Sequence, residues 1–282
     1  MRRYRWGFDR CLFLASLTCV IFVPAYAQRE HTLRPRRDRD TRSTVEAAGQ
    51  GGSSARIDTN ADTLVREMCA YLARQPVFRV LAEHSTEVIL DNGQKLDYGG
   101  TSTVTLMRPN YLRSDRQGDV VDVSLYYDGA SIVLYGRRSA MYAKIDAPTT
   151  LEKAIDFARE ELGLEAPAAD LLSNDSCAIL MSDIVSGQVI GEAVIDGVLT
   201  HHVALRGREV DLQLWIEAGP RPLPHRYIIT SKHIEGMPQH TLDLREWDLS
   251  PLLTEDMFRF VAPPGVDKVG FFRAAAVKTS VR

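Results

Sequence analysis

The sequence predicts an α+β fold built on one large, strongly curved antiparallel sheet. Six strand-like segments follow one another between residues 77 and 146, and five more lie between about residue 188 and residue 249. Helical patterns precede the first block and separate the two blocks. A sheet of this width must curl, and its apolar face needs a cover that only these helices can provide.

The first 27 residues have the features of a secretory signal peptide. Arginines within residues 2–10 precede the apolar run "CLFLASLTCVIFV", and the triplet ending at Ala27 fits the small-x-small cleavage pattern. We therefore expect cleavage after Ala27 and a periplasmic mature protein. The apolar run is shorter than the about 20 residues of a membrane span, although an uncleaved anchor is the alternative.

Residues 28–56 predict a disordered linker, Arg-rich at first and then rich in Gly and Ser. The alternative is a basic arm that meets anionic headgroups, but interleaved acids such as Asp38 and Asp40 weaken it. The full chain carries −3, and residues 1–27 and 28–56 contribute +3 each, so residues 57–282 carry −9. This acidic body argues against a nucleic-acid partner.

Residues 57–272 predict one domain, followed by a flexible tail at 273–282. A helix over 58–74 shows apolar positions at helical spacing and ends before Pro76. An Asn92-Gly93 turn then joins two long strands, and four short strands follow.

Helical patterns over 150–172 interrupt the strands. An amphipathic helix starts near Thr149, and a second, short helix is predicted from about Pro167. Strands resume at about Gln188, separated by glycine turns.

The strands share one apolar face, and polar side chains occupy the other. Periodicity leaves two alternatives open for the apolar side, a packed core or an apolar cavity. Trp215 and Trp247 fall on the polar face by alternation. The residues that we expect to line a cavity are Phe78, Val80, Val88, Val104, Leu106, Val123, Leu125, Leu134, Val203, Leu205, Leu212, Leu214, Leu242 and Leu244.

Two cysteines, Cys69 and Cys177, remain after cleavage, in a compartment where a disulfide can persist. They are either one long-range disulfide or two small buried side chains, because sequence does not reveal whether their Cα atoms meet.

No nucleophile elbow, Walker A, dinucleotide-binding, H-E-x-x-H or C-x-x-C motif is present. We therefore expect no catalytic residue, no cofactor and no metal. His201 and His202 point to opposite faces of a strand, so they cannot chelate one metal by themselves.

Several segments resemble the outer-membrane lipoprotein carrier superfamily, the LolA/LolB-like proteins. The closing stretch "DMFRFVAPPGVDKV" is similar to their Phe-x-Phe, Pro and Gly-Val ending, and "LYYDGASIVLY" resembles their Asp-Gly hairpin. The run "VLTHHVALRG…EVDLQLWIE…PLPHRYIITSK" looks like a predicted periplasmic family of unknown function within that group. The resemblance covers about residues 58–270.

The resemblance implies an unclosed β-barrel of about eleven strands, covered by helices, with a hydrophobic cavity. It implies that the protein is a soluble monomer that binds a lipid or a lipoprotein acyl chain. An alternative is an envelope-stress sensor or interaction module that meets an envelope protein through its outer face. The Arg-rich linker and the lack of a tethering cysteine depart from the carriers, and fold alone does not fix function.

Overall fold

The computed structural model describes residues 56–164 and 166–271. Its strands belong to one curved sheet. In chain order they are β1 (Val77–Ile89), β2 (Lys95–Met107), β3 (Tyr111–Gly118), β4 (Asp122–Tyr127), β5 (Ser131–Gly136), β6 (Met141–Asp146), β7 (Ile184–Ile195), β8 (Val198–Gly207), β9 (Val210–Glu217), β10 (Pro224–Ser231), β11 (Gln239–Asp248) and β12 (Asp267–Val269).

The order across the sheet is β12-β6-β5-β4-β3-β2-β1-β11-β10-β9-β8-β7. Strands β1 to β11 pair antiparallel with one another, and β1 joins the two sequence blocks by pairing with both β2 and β11. The end strands β12 and β7 are not paired with each other, so the barrel is unclosed across the described residues. The predicted fold class is therefore confirmed.

Three α-helices lie among the described residues: α1 (Thr59–Ala73), α2 (Leu151–Glu160) and α3 (Ser176–Met181). Asp58 caps α1 by accepting a hydrogen bond from the N–H of Asn60 at 2.8 Å. Thr150 caps α2 in the same manner, through the N–H of Lys153. The predicted short helix after Pro167 is a 3₁₀ turn over Ala169–Leu172, followed by α3.

The C-terminal segment lies across the outer face of the first strand block. Phe258 is fully buried against Tyr111, and the ring of Phe260 packs against Tyr126, Tyr135 and Tyr142 at centroid distances of 5.0–5.5 Å. Beyond these rings, β12 pairs in parallel with β6. The Phe-x-Phe motif thus attaches the C-terminal segment to the sheet.

Helices divide the concave side of the sheet into two halves. Under β8 to β11, α1 fills the space with Val65, Met68 and Leu72, each at most 1% exposed. Under β1 to β5, α2 and the 3₁₀ turn cover the sheet but leave an open space between themselves and the strands. We call these the filled half and the hollow half. Both alternatives left open by periodicity occur, one in each half.

The predicted signal peptide and nearly all of the predicted linker, together with the predicted tail, lie outside the described residues.

Candidate ligand-binding cavity

An apolar cavity occupies the hollow half. The space open to the centre of a water-sized sphere is about 270 Å³. One water molecule needs only about 10–15 Å³ on this measure, so the space has the size of a ligand site rather than a packing defect. Strands β1 to β5 and β11 form its floor. Ala154, Ile155 and Ala158 of α2 and Leu171 and Leu172 of the 3₁₀ turn form its roof.

The strand register arranges the floor in rows that run across the sheet. The first row consists of Phe78, Leu106, Leu112, Tyr127 and Ile132, and its one hydroxyl, on Tyr127, donates a hydrogen bond to the Pro148 carbonyl. The second row has one hydroxyl and consists of Val80, Val104, Ser114, Leu125 and Leu134. The third row contains a cation and consists of Ala82, Ser102, Arg116, Val123 and Gly136. The floor therefore becomes more polar along the strands.

The polar end is formed by His84, Arg116 and His240, all of which line the cavity. Arg116 donates a hydrogen bond from Nε to Nε2 of His84 at 3.1 Å. The His84 and His240 rings stack with centroids 6.3 Å apart, and Nδ1 of His240 lies 2.7 Å from the Thr86 hydroxyl.

Glycines in β2 and β3 make room for this end. A Cβ on Gly100 would stand 2.8 Å from Cε1 of His84 and 2.5 Å from the carbonyl oxygen of Gln117. A Cβ on Gly118 would stand 2.6 Å from the carbonyl oxygen of Gly99. The absence of side chains at both positions lets the two strands approach each other beneath the His84 ring.

Both histidines are neutral at neutral pH. Burial, with the nearby Arg116 charge as a second cause, lowers the pKa of His84 to about 4. Burial, followed by the charges of His84 and Arg116, lowers the pKa of His240 to about 3. The pKa of Arg116 is also lowered by burial, but an arginine stays protonated in proteins. Arg116 is thus the charged member of the trio.

We expect the domain to lose stability on mild acidification. The folded state holds His84 and His240 neutral, whereas the unfolded chain protonates them below about pH 6.5, so their contribution is present above that pH and is lost as the pH falls towards the lowered pKa values. Replacing His240 by Asn should reduce the loss of unfolding free energy between pH 7 and pH 4 by about 3 kcal/mol. Urea unfolding at pH 7 and at pH 4 measures this difference in unfolding free energy.

The exposed His233 provides the control for this measurement. His233→Asn should leave the acid-induced loss of unfolding free energy close to that of the natural protein. An equal loss in the His240→Asn and natural proteins would contradict the assigned neutral state of His240.

The structure brings eight of the fourteen predicted lining residues together around the cavity. These are Phe78, Val80, Val104, Val123, Leu125, Leu134, Leu242 and Leu244. Leu106 is buried in the first row beside it. The side chains of Val203, Leu205, Leu212 and Leu214 pack in the filled half, and Val88 lines a separate small recess behind His84. Ligand binding by any of these residues stays a prediction.

Trp247 lies on the inner face, so its predicted place on the polar face is wrong. A β-bulge sets Glu246 and Trp247 opposite Val80, between the pairs Arg79–Asp248 and Leu81–Arg245. Glu246 has φ of 53°, and this turn of the backbone directs the next side chain inward. The Trp247 ring packs on Phe78 at 5.4 Å and its Nε1 donates to the Pro224 carbonyl at 3.1 Å. It lines the apolar end.

Trp215 is on the outer face, as predicted. Its ring stacks on His202 with centroids 4.0 Å apart, and the Arg226 guanidinium lies 5.8 Å from its centroid. The side chain is only 9% exposed because these neighbours cover it.

Alternation could not identify the polar end of the cavity, because Arg116 and His240 interrupt otherwise apolar patterns.

Cys69 and Cys177 are neighbouring free thiols where α1 meets α3. Their interaction raises the pKa of Cys69, which burial raises further, and lowers the pKa of Cys177. Sγ of Cys177 lies 3.6 Å from the Val65 carbonyl oxygen. The structure thus brings together the two cysteines, for which the sequence left a disulfide and two buried thiols as alternatives, and formation of the bond in an oxidising compartment stays untested.

Within residues 56–164 and 166–271, no group of three or more His, Cys, Asp or Glu side chains is placed to hold a metal ion. No helix in that part of the chain has both the length and the apolar character to cross a membrane. His201 faces Glu192, with 3.6 Å between Nδ1 and Oε1, and His202 contacts Gln213.

Several solved structures are similar in fold. An uncharacterized conserved protein from Thermus thermophilus is 10% identical, with 75% of this chain and 99% of that chain covered and a TM-score of 0.45. The lipoprotein LppX from Mycobacterium tuberculosis is 14% identical, with 70% and 98% covered and a TM-score of 0.41. A LolA superfamily protein from Nitrosomonas europaea is 10% identical, with 71% and 97% covered and a TM-score of 0.32. Because these scores are below 0.5, the function proposed below rests on the cavity itself.

No curated protein matches the chain. The family model described as "Predicted periplasmic protein (DUF2092)" matches residues 61–272, which include nearly all of the described domain. That description confirms the periplasmic location expected from the N-terminal segment. The chain therefore belongs to the DUF2092 family of predicted periplasmic proteins.

Proposed function

We propose that the protein binds an acyl chain of a lipid or lipoprotein in the hollow half of its barrel and carries or shelters it in the periplasm. The observation that carries this proposal is the cavity of about 270 Å³ with its apolar first row. The filled half shows that this sheet packs tightly where a helix fills it, so the hollow half is a distinct feature of the fold.

The energetics favour an acyl chain as the occupant. Each buried methylene contributes about 0.8 kcal/mol, so a palmitoyl chain gains on the order of 10 kcal/mol before the costs of association. The apolar end is lined by large rigid side chains, among them Phe78, Tyr127 and Trp247. The side chains of this apolar end form no polar pattern that could recognise a sugar or a peptide.

Binding without catalysis is the role that we propose. The polar groups that line the cavity are Arg116, two histidines, two serines, the hydroxyl of Tyr127 and the ion-paired Arg159. A hydroxyl does lie beside one of these histidines, since Thr86 is 2.7 Å from Nδ1 of His240, but Thr86 lines the recess behind His84 and not the cavity. His84 accepts a hydrogen bond from an arginine rather than from a hydroxyl. Such a site can hold and orient a molecule, which is the task of a carrier or a chaperone.

The test is to purify the protein from a periplasm without detergent, extract it with organic solvent and identify the extract by mass spectrometry. We expect an acyl lipid or an acylated peptide in a molar ratio near one. A protein that emerges empty and also takes up no fluorescent fatty acid would contradict the proposal. That result would favour the alternative, an interaction or sensor module, whose predicted Arg-rich linker at residues 28–56 could then be tested by deletion.

A further inference from the structure

The polar end of the cavity contains a cation that has no carboxylate partner. Arg116 is on the inner face. Its side chain makes one polar contact with the described residues, the hydrogen bond that Nε donates to His84. The nearest acids in sequence are engaged elsewhere. Asp115 and Asp122 pair with Arg113 and Arg137 on the outer face, and Asp119 accepts a hydrogen bond from the N–H of Gly99 at 2.8 Å. No carboxylate in the described part of the chain lies within ion-pair distance of Arg116.

His84 adds an unpaired donor to the same end. The side chain is only 8% exposed, and its Nε2 accepts from Arg116, so the proton of the neutral ring is on Nδ1. That Nδ1 is buried and has no hydrogen-bond partner among the described residues. Buried donors are almost always paired, so a missing partner indicates a ligand atom or a water molecule at this point.

The other charged group of the cavity is already neutralised. Arg159 of α2 lies 2.6 Å from Asp170, which is in the roof segment. The opposite end of the cavity is apolar, with Phe78 and Trp247 in contact. The cavity is therefore amphiphilic, with one unpaired positive charge at one end and an apolar wall at the other.

We propose that the ligand is an acyl-chain amphiphile with an anionic head group, a carboxylate or a phosphate monoester. Its oxygens would accept hydrogen bonds from the guanidinium of Arg116 and from Nδ1 of His84, and its chain would extend towards Trp247. A guanidinium provides several donors in a planar fork that matches either anion, and a partly desolvated cation needs such a counter-charge. This inference rests on the proposed function and adds the class of head group.

The test compares ligands that share one chain and differ only in the head group. Palmitate, hexadecyl phosphate, hexadecanol and hexadecyltrimethylammonium are titrated into the delipidated protein by calorimetry. We expect the two anions to bind at least about tenfold more tightly than the alcohol, and the cation to bind most weakly. Tighter binding of palmitate would identify a carboxylate as the preferred head group, and tighter binding of hexadecyl phosphate would identify a phosphate.

A matched pair of variants provides an independent test. Val123 lies directly opposite Arg116 on β4, at a cross-strand spacing that lets long side chains meet. Val123→Asp supplies Arg116 with a carboxylate, so it should weaken palmitate binding about tenfold or more and weaken hexadecanol binding much less. Val123→Asn has the same shape without the charge and should bind palmitate much more tightly than Val123→Asp does.

Removal of the positive charge of Arg116 should also weaken palmitate binding. Arg116→Met keeps an apolar stem and should lower the affinity for palmitate about tenfold, towards that for hexadecanol. Arg113→Met, on the outer face of the same strand, should leave both affinities unchanged. If Arg116→Met does not fold, the Val123 pair still decides the question.

The outcomes separate this inference from the proposed function. Equal binding of palmitate and hexadecanol, unchanged in Val123→Asp, would overturn the anionic head group and leave an acyl-chain carrier intact. Failure of all four ligands to bind would overturn both.

Discussion

Ser114→Trp is expected to weaken acyl-chain binding about a hundredfold while leaving the domain folded. Ser114 is in the middle of the second row, between Val104 and Leu125, and its side chain faces the cavity. An indole at this position occupies space that a ligand chain would use. If it displaces about four methylene groups, binding loses about 3 kcal/mol, or about a hundredfold in Kd. Filling a hollow is better tolerated than overpacking a filled core, so the thermal midpoint should change little.

The control for Ser114→Trp is Gln117→Trp, three residues further along β3. Gln117 is exposed on the outer face, where an indole meets no ligand. Titration with a fluorescent fatty acid and a thermal melt of both variants give the required measurements. Undiminished binding by a folded Ser114→Trp protein would show that the chain, if bound, lies elsewhere.

Leu214→Asp is expected to unfold the domain. Leu214 is fully buried in the filled half, where α1 packs against β8, β9 and β10. An unpaired carboxylate in such a core costs more than about 4–5 kcal/mol, and a domain of ordinary stability has only about 5–15 kcal/mol. Urea unfolding should show a much lower midpoint or no cooperative transition, together with loss of near-ultraviolet circular dichroism.

Leu199→Asp is the matched control for Leu214→Asp. It introduces the same carboxylate on β8 at a side chain that is 47% exposed, and surface substitutions usually change stability by about 0.5 kcal/mol or less. A stable, cooperative Leu214→Asp protein would mean that the space under β9 is hollow as well. Because Leu212 and Leu214 support the fold, charges placed there test stability and not ligand binding.

The sequence predicted the sheet well because strand alternation is a local property. Phe78, Val80 and Val104 face the concave side as their spacing required, and the turn at Asn92-Gly93 joins β1 to β2. The short parallel strand β12 was missed, since three residues carry no periodicity. Its pairing with β6 depends on Phe258 and Phe260 packing across the outer face.

The candidate site was predicted only in part, because a cavity depends on what fills it. Leu212 and Val80 have the same pattern, yet α1 covers the first, whereas α2 leaves space above the second. No local sequence pattern predicts how far a helix will lie from a sheet. The bulge that turns Trp247 inward could not be predicted from the local sequence either, because it depends on the pairing of β11 with β1.

The most direct test of the acyl-chain site is quenching of tryptophan fluorescence by a brominated palmitate. Trp247 lines the cavity and Trp215 is on the outer face, and the third tryptophan, Trp6, is in the predicted signal peptide. In the mature chain, Trp215→Phe leaves Trp247 as the reporter, and Trp247→Phe leaves Trp215. We predict strong, saturable quenching in Trp215→Phe and little in Trp247→Phe. Quenching of Trp215 alone, or of neither residue at saturating ligand, would contradict binding in the cavity.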